Sequence, residues 1–191
     1  MKRIGVGVGI GVVALWVTGC GTAATAQLST APTAQRAIGV SSSATPWHGL
    51  SVAPMPLIRA IQIATVETGS GELVPLPRQK PIVVFAPWCD HCHQLIRLLA
   101  KEGLLPRVTL VAAGLSMYGS TLSVNSAENL VRSSFTQLGI SMPADVLYAM
   151  PNSALDLAVT RYPTVLIPHE HTWYWQPGYV DNPAFWKVIL L

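Results

Sequence analysis

The chain has 191 residues, of which 50 % are hydrophobic and 11 % are charged, and its formal net charge is +3. Two of its 12 basic residues, Lys2 and Arg3, stand at the very start, so the rest of the chain is close to neutral. The sequence has no cluster of basic residues, which argues against a nucleic-acid partner. About 170 residues follow the N-terminal segment, enough for one compact domain with a sizeable core.

The first 19 residues have the pattern of an export signal. Lys2 and Arg3 form a short basic region, and residues 4–17 are apolar but too few for a comfortable membrane span. The sequence Val17-Thr18-Gly19-Cys20 resembles a bacterial lipobox, with valine in place of the usual leucine. The resemblance implies cleavage before Cys20 and a lipid on this cysteine that holds the protein at the membrane. An ordinary secretory signal cleaved after Ala26 is the alternative. Both interpretations put the domain outside the cytoplasm, where disulfides persist.

Residues 20–55 are predicted to be a flexible tether, because they are rich in alanine, threonine, serine and proline with scattered charge. The folded domain is expected to occupy residues 56–191. Apolar residues at alternating positions predict a first strand over residues 58–66. A turn follows, and a short strand is predicted over residues 73–76.

The next stretch carries the clearest chemical pattern in the chain. Residues 82–85 read Ile-Val-Val-Phe, which is typical of a buried strand. The strand ends at Pro87-Trp88, and Cys89-x-x-Cys92 opens a predicted helix. At the N-terminus of that helix, unpaired backbone N–H groups and the helix dipole would favour a thiolate on Cys89. Cys92 lies one turn further on and could resolve a mixed disulfide.

The two residues between the cysteines have opposite effects on this thiolate. Asp90 is a like charge that disfavours it, whereas a protonated His91 favours it. We therefore expect His91 to tune the reactivity of Cys89.

The order of strand, Trp-Cys-x-x-Cys and helix resembles the active-site stretch of the thioredoxin superfamily. The wider match, from Gly71-Glu72-Leu73-Val74-Pro75-Leu76 through Lys80-Pro81 to the cysteines, most resembles its extracytoplasmic TlpA branch. The resemblance implies a thioredoxin-like α/β fold, with a central mixed sheet flanked by helices. It also implies a thiol–disulfide oxidoreductase that needs no cofactor and acts on protein thiols and disulfides together with an unidentified redox partner. In many members a proton-relaying aspartate stands six positions before the first cysteine; Val83 occupies that position here, so the relay is absent.

The middle of the domain continues the α/β pattern. The helix after Cys92 is expected to stop at Gly103, and a buried strand is predicted over residues 108–112. Ser126 is predicted to cap a helix that ends at Gly139. An extended stretch over residues 141–148 and a short helix over residues 152–160 complete this part.

A second motif follows at Arg161-Tyr162-Pro163-Thr164, which resembles the superfamily's cis-proline loop. In that family the loop packs beside the C-x-x-C and leaves its backbone free to pair with an extended substrate peptide. The resemblance implies that Tyr162 flanks the sulfurs and that Trp88 and Pro163 shape the substrate groove. An ordinary trans proline before an edge strand is the alternative. Residues 172–175 are then predicted to form the last strand, and Pro183 to begin the last helix.

Other uses of the two cysteines remain open at this point. A zinc site would need a second C-x-x-C, which the chain lacks. The sequence Cys89-Asp90-His91-Cys92-His93 also matches the c-type haem attachment pattern, although a buried strand directly before it argues against haem. A structural disulfide is a third possibility. The alternative function is copper or other metal handling by Cys89, Cys92 and a histidine of the 169–171 turn, as in the Sco-like branch, which however spaces its cysteines C-x-x-x-C. We expect a redox dithiol with no metal.

Overall fold

The computed structural model describes residues 48–191. The predicted signal segment, Cys20, the alternative cleavage site after Ala26 and the tether as far as residue 47 lie outside the described residues. Within residues 48–191, none of the helices has both the length and the apolar character that crossing a bilayer demands.

The strands of the described region form one mixed sheet with the order β1-β8-β7-β4-β5-β6-β2-β3. β4 pairs in parallel with β5, and β5 with β6, whereas the remaining pairs are antiparallel. The strands are β1 Ser51–Val52, β2 Thr65–Glu67, β3 Leu73–Pro75, β4 Ile82–Phe85, β5 Thr109–Ala112, β6 Leu147–Tyr148, β7 Thr164–His169 and β8 Thr172–Pro177. The helices are α1 Met55–Ile63, α2 Asp90–Lys101, α3 Val124–Leu138, α4 Ala154–Ala158 and α5 Pro183–Leu190, with short 3₁₀ turns at Leu105–Arg107 and Leu115–Tyr118.

The centre of the sheet is β4, and all four of its side chains are fully buried. Val83 and Phe85 pack on the face that α2, α3 and α5 cover. Ile82 and Val84 pack on the opposite face, under α1 and α4. A strand that is buried on both faces needs a continuous apolar sequence, which is what residues 82–85 provide. A mixed sheet with helices on both faces is the thioredoxin-like fold predicted from the sequence, and the prediction is confirmed.

One predicted strand is wrong. Residues 58–66 were expected to be extended, but the structure has α1 over Met55–Ile63, and β2 begins only at Thr65. The buried side chains of α1 are Leu57, Ala60 and Ile61, which are spaced as one face of a helix. Pro56 in the first turn also suits a helix start. The short apolar run fits both periods, and packing against the sheet selects the helical one.

The folded region also begins earlier than the predicted boundary at residue 56. β1 pairs with the edge of β8, through Ser51 opposite Trp175 and Val52 opposite Tyr174. Leu50 and Ala53, on either side of β1, are buried in the core. The last residues assigned to the tether therefore belong to the domain.

The helix ends agree with the sequence in some places and not in others. Gly139 ends α3 in a left-handed conformation, and Asn182 caps the start of α5. The short helix α4 begins at Ala154 with Ser153 as its cap, rather than at residue 152. The N-cap of α3 is Ser123 and not Ser126, because Ser123 Oγ accepts the backbone N–H of Ser126 at 3.3 Å. The cap therefore lies three residues before the predicted one.

This correction can be tested by the stability of two serine variants. Ser123→Ala removes the acceptor of an otherwise unpaired helix N–H and should lower the free energy of unfolding by about 1 kcal/mol. Ser126→Ala keeps that acceptor and should cost clearly less. Urea denaturation of the purified full-length protein measures both, and a larger loss for Ser126→Ala would contradict the observed cap.

Candidate functional site

Cys89 caps the N-terminus of α2, at the position expected from the sequence. The chain leaves β4 through a turn that the backbone N–H of Cys89 closes onto the carbonyl of Ala86 at 3.1 Å. Pro87 and Trp88 form the middle of this turn. Cys89 itself is extended, with φ −95° and ψ 113°, and helical geometry begins at Asp90. The buried strand therefore delivers Cys89 directly to a helix start, where N–H groups lack intrahelical partners.

The Cys89 sulfur is held by donors from the first turn of the helix. The side chain of Cys92 donates to it, and the backbone N–H of Cys92 lies 3.2 Å from Cys89 Sγ. These two hydrogen bonds lower the pKa of Cys89 to about 6, against the opposing effect of burial. A hydrogen bond from the backbone of His91 and the positive charge of His91 act in the same direction. Cys89 keeps 7 % of its surface exposed. The lowered pKa favours the thiolate form of Cys89 at neutral pH.

Cys92 has the opposite environment. It is fully buried, and burial strongly raises the pKa of its thiol, as does its hydrogen bond to Cys89. The backbone N–H of Ala86 points at Cys92 Sγ over 3.5 Å. Both cysteines are free thiols in this structure. The pair thus combines one partly accessible thiolate with one buried thiol.

The residues between the cysteines differ in their effect. His91 is exposed and lowers the pKa of Cys89, in the direction expected. The side chain of Asp90 is 96 % exposed, so water screens its charge from the neighbouring sulfur. Asp90 therefore does not raise the pKa of Cys89 in the way that its charge alone would suggest.

The second motif lies at the same end of the sheet as the cysteines. The bond between Tyr162 and Pro163 is cis, as predicted. β7 begins directly after this bond and pairs with β4, with Thr164 opposite Val84. Because β4 leads into the Cys89 turn, strand pairing brings the proline loop to the C-x-x-C.

Two aromatic side chains border the sulfurs. Trp88 is 46 % exposed, and its ring meets that of Tyr162 edge-on with centroids 5.7 Å apart. Burial raises the pKa of Tyr162, and the neighbouring Asp156 and both cysteines raise it further. Trp88 and Tyr162, which the sequence singled out, are therefore brought together beside the cysteines, and Pro163 follows Tyr162 through the cis bond.

Two further residues of the site were missed in the sequence. The carbonyl of Gly114 accepts the indole N–H of Trp88 at 2.9 Å, and its backbone N–H donates to Asp156 Oδ1 at 2.9 Å. Gly114 has φ +65°, and a Cβ there would lie 3.1 Å from Ala86 Cβ and 3.2 Å from the Tyr162 ring. Its place directly after the β5 region is a weak signal for a tight turn. Nothing in the sequence points to Asp156. Its carboxylate holds Gly114, and Gly114 in turn accepts the hydrogen bond from Trp88.

The structure does not assemble the alternative metal site. His169 ends β7, and the strand carries it about 16 Å from Thr164, which lies at the cysteine end. His171 follows in the turn between β7 and β8. Among residues 48–191, no three His, Cys, Asp or Glu side chains cluster as metal ligands. His93, the axial ligand in a haem interpretation, instead turns its Nε2 toward Pro87 O and Ser134 Oγ, at 2.9 Å from each.

The described region is thus a thioredoxin-like domain with a C-x-x-C dithiol beside a cis-proline loop. No protein-family model matches the sequence, and no curated protein matches it.

Several solved structures are similar to it. One is a secreted disulfide oxidoreductase of Mycobacterium tuberculosis described as homologous to E. coli DsbE, at 16 % identity and TM-score 0.43, covering 69 % of this chain and 96 % of that one. A second is MTB dsbF, at 18 % identity and TM-score 0.45, covering 68 % and 95 %. A third is a thioredoxin-like protein from Aeropyrum pernix, at 13 % identity and TM-score 0.46, covering 69 % and 91 %.

The two thiols are expected to react over different pH ranges. Because the pKa of Cys89 is lowered to about 6, its alkylation by iodoacetamide should rise with pH through that value and level off above neutral pH. Cys92 should stay unmodified over this range, because it is buried and its pKa is raised. Peptide mass spectrometry of the reduced protein at a series of pH values measures both. A Cys89 midpoint near 8.5, the value of an ordinary thiol, would contradict the geometry.

Proposed function

We propose that this protein is an extracytoplasmic thiol–disulfide oxidoreductase that exchanges electrons with protein partners through Cys89 and Cys92. The observation that carries the proposal is the asymmetry of the pair: a thiolate-prone Cys89 at the start of α2 and a fully buried Cys92 one turn later. A structural disulfide needs no such difference between its two thiols. The cis-proline loop beside the pair supports the same function.

In the reducing direction, the Cys89 thiolate attacks one sulfur of a partner disulfide. A bond forms between Cys89 Sγ and that sulfur, and the other partner sulfur leaves as a thiolate. Cys92 then loses its proton and attacks Cys89 Sγ, which releases the second partner thiolate. The Cys89–Cys92 pair gives up two electrons and becomes a disulfide, while the partner disulfide becomes a dithiol. The reverse sequence oxidises a partner dithiol.

The proton of Cys92 limits the second step. The negative charge and hydrogen bond of Cys89 help raise the pKa of Cys92 in the reduced protein. Once Cys89 is in a mixed disulfide, that charge is gone, and deprotonation of Cys92 becomes easier. Val83 is fully buried where related proteins have a carboxylate, so the proton goes to the leaving partner thiolate or to water.

Partner recognition is assigned to the surface around Cys89. Trp88 and Tyr162 form an aromatic wall next to the sulfur, and Pro163 lies at the entry of β7. An extended partner segment could lie across this wall and present its disulfide to Cys89. Tyr162 is half-buried and large, so it narrows the approach to the sulfurs and selects among partners.

Location outside the cytoplasm, at the membrane, is proposed from the sequence of the first 20 residues. One acyl chain alone binds a bilayer only marginally, so stable attachment needs at least two. A diacylglycerol on Cys20 meets this requirement. The segment that follows would let the redox domain reach partners close to the membrane.

Cysteine variants test the catalytic assignment. Cys89→Ser should abolish reduction of a model protein disulfide, because the remaining thiol, Cys92, is fully buried and has a raised pKa. Cys92→Ser should accumulate mixed disulfides with partners, because they are not resolved. Gln94→Ala, an exposed position on the same helix, serves as the control and should keep wild-type activity. Wild-type rates for Cys89→Ser would overturn the assignment.

A Cys20→Ala variant tests the lipid attachment. The protein should then leave the membrane fraction or stay unprocessed, while disulfide exchange by the domain is unchanged. Fractionation and mass spectrometry of the N-terminus measure the outcome. A wild-type protein that is found free of membranes and begins at Gln27 would favour ordinary secretion instead.

A further inference from the structure

His93 directly follows Cys92 on α2, yet its side chain is turned into the domain. The side chain is only 16 % exposed. Its Nε2 lies 2.9 Å from the carbonyl oxygen of Pro87 and 2.9 Å from Ser134 Oγ. These two contacts reach back to the turn that carries Cys89 and across to α3.

The contact with Pro87 requires a hydrogen on Nε2 of His93, while Nδ1 faces Asp90 Oδ1 at 4.0 Å. A carbonyl oxygen can only accept, so the 2.9 Å contact requires an N–H on Nε2. Ser134 is buried, and its hydroxyl oxygen can accept a share of the same N–H. The neutral tautomer with its hydrogen on Nδ1 would set two lone pairs against each other at Pro87. His93 is therefore a donor in this arrangement.

The Pro87 carbonyl lies in the turn that carries Cys89, so a hydrogen bond to it restrains that turn. Proline has no backbone N–H, so its carbonyl is the one backbone hydrogen-bonding group that this residue offers. Pro87 is buried and lies two residues before Cys89, inside the turn that the Cys89 N–H closes. The His93 side chain thus links this turn to the first turn of α2. Cys89 and Cys92 both lie between Pro87 and His93, and Cys92 N–H reaches Cys89 Sγ at 3.2 Å.

We propose that His93 is a positioning residue that, through the Pro87 carbonyl, holds Cys89 Sγ against the Cys92 N–H and so sustains the Cys89 thiolate. Its consequence for disulfide exchange rests on the function proposed above, whereas its effect on the thiolate does not. The role is geometric: the histidine whose charge acts on Cys89 is His91. Ser134 supports the role by fixing the imidazole ring from α3.

The test is the titration of the Cys89 thiolate in reduced full-length protein. The rate of Cys89 alkylation is measured as a function of pH, and its midpoint is compared between variants. His93→Ala should raise the midpoint by about half a unit to one unit, the equivalent of one net hydrogen bond. His93→Gln keeps an N–H at a similar reach and should restore most of the shift. Gln94→Ala, the exposed neighbour, should leave the midpoint unchanged. Ser134→Ala should give a smaller rise than His93→Ala.

An unchanged midpoint in folded His93→Ala overturns the proposal, since a purely structural role would lower stability without moving the titration. If His93→Ala does not fold, the decision passes to the other variants: a normal midpoint in Ser134→Ala together with a fully raised one in His93→Gln overturns it equally. Exchange with a model disulfide is measured in parallel on the wild-type protein. Failure of that assay would refute the proposed function alone, because the titration does not depend on any partner.

Discussion

The hydrogen bonds that the first turn of α2 donates to Cys89 Sγ are the interaction on which the site depends. A thiol becomes a useful nucleophile at neutral pH only when its anion is stabilised. The required donors are available because Cys89 is the N-cap residue, where the helix leaves N–H groups without internal partners. A shift of Cys89 by one residue in either direction would remove the sulfur from these donors. The fold therefore has to fix the junction between β4 and α2 closely.

Several parts of the domain fix that junction. β4 is fully buried between β5 and β7, so the strand before the turn has no freedom to slide. After the strand, His93 on α2 donates a hydrogen bond to the Pro87 carbonyl. Within the turn, Trp88 donates a hydrogen bond to the carbonyl of Gly114, and the N–H of Gly114 donates to Asp156. The sulfur is thus positioned by the packing of β4 and by hydrogen bonds that hold Pro87 and Trp88.

The parts of the site that depend on neighbouring residues were predictable from the sequence. The buried strand, the cysteine spacing and the cis-proline motif are each contained in a few consecutive residues, and the structure has all of them. Two of the failures have clear physical causes. A short apolar run at the start of the domain fits both helix and strand, and only its packing against the sheet selects α1.

The other cause is distance along the chain. Trp88 and Gly114 are 26 residues apart, His93 and Ser134 are 41 apart, and Gly114 and Asp156 are 42 apart. No local sequence pattern predicts such contacts, because they form only when the sheet brings separate parts of the chain together. The signal, Cys20 and the cleavage site lie before residue 48 and stay predictions.

The central claim is that Cys89 and Cys92 form a reversible redox pair. Its most direct test is to equilibrate the full-length protein in glutathione buffers of graded potential and to follow the pair by thiol trapping and mass spectrometry. The account predicts a single two-electron transition in which both thiols disappear together and an intramolecular Cys89–Cys92 disulfide appears, fully reversible on reduction. Oxidation that stops at glutathione bound to Cys89, with Cys92 still a free thiol at every potential, would contradict it.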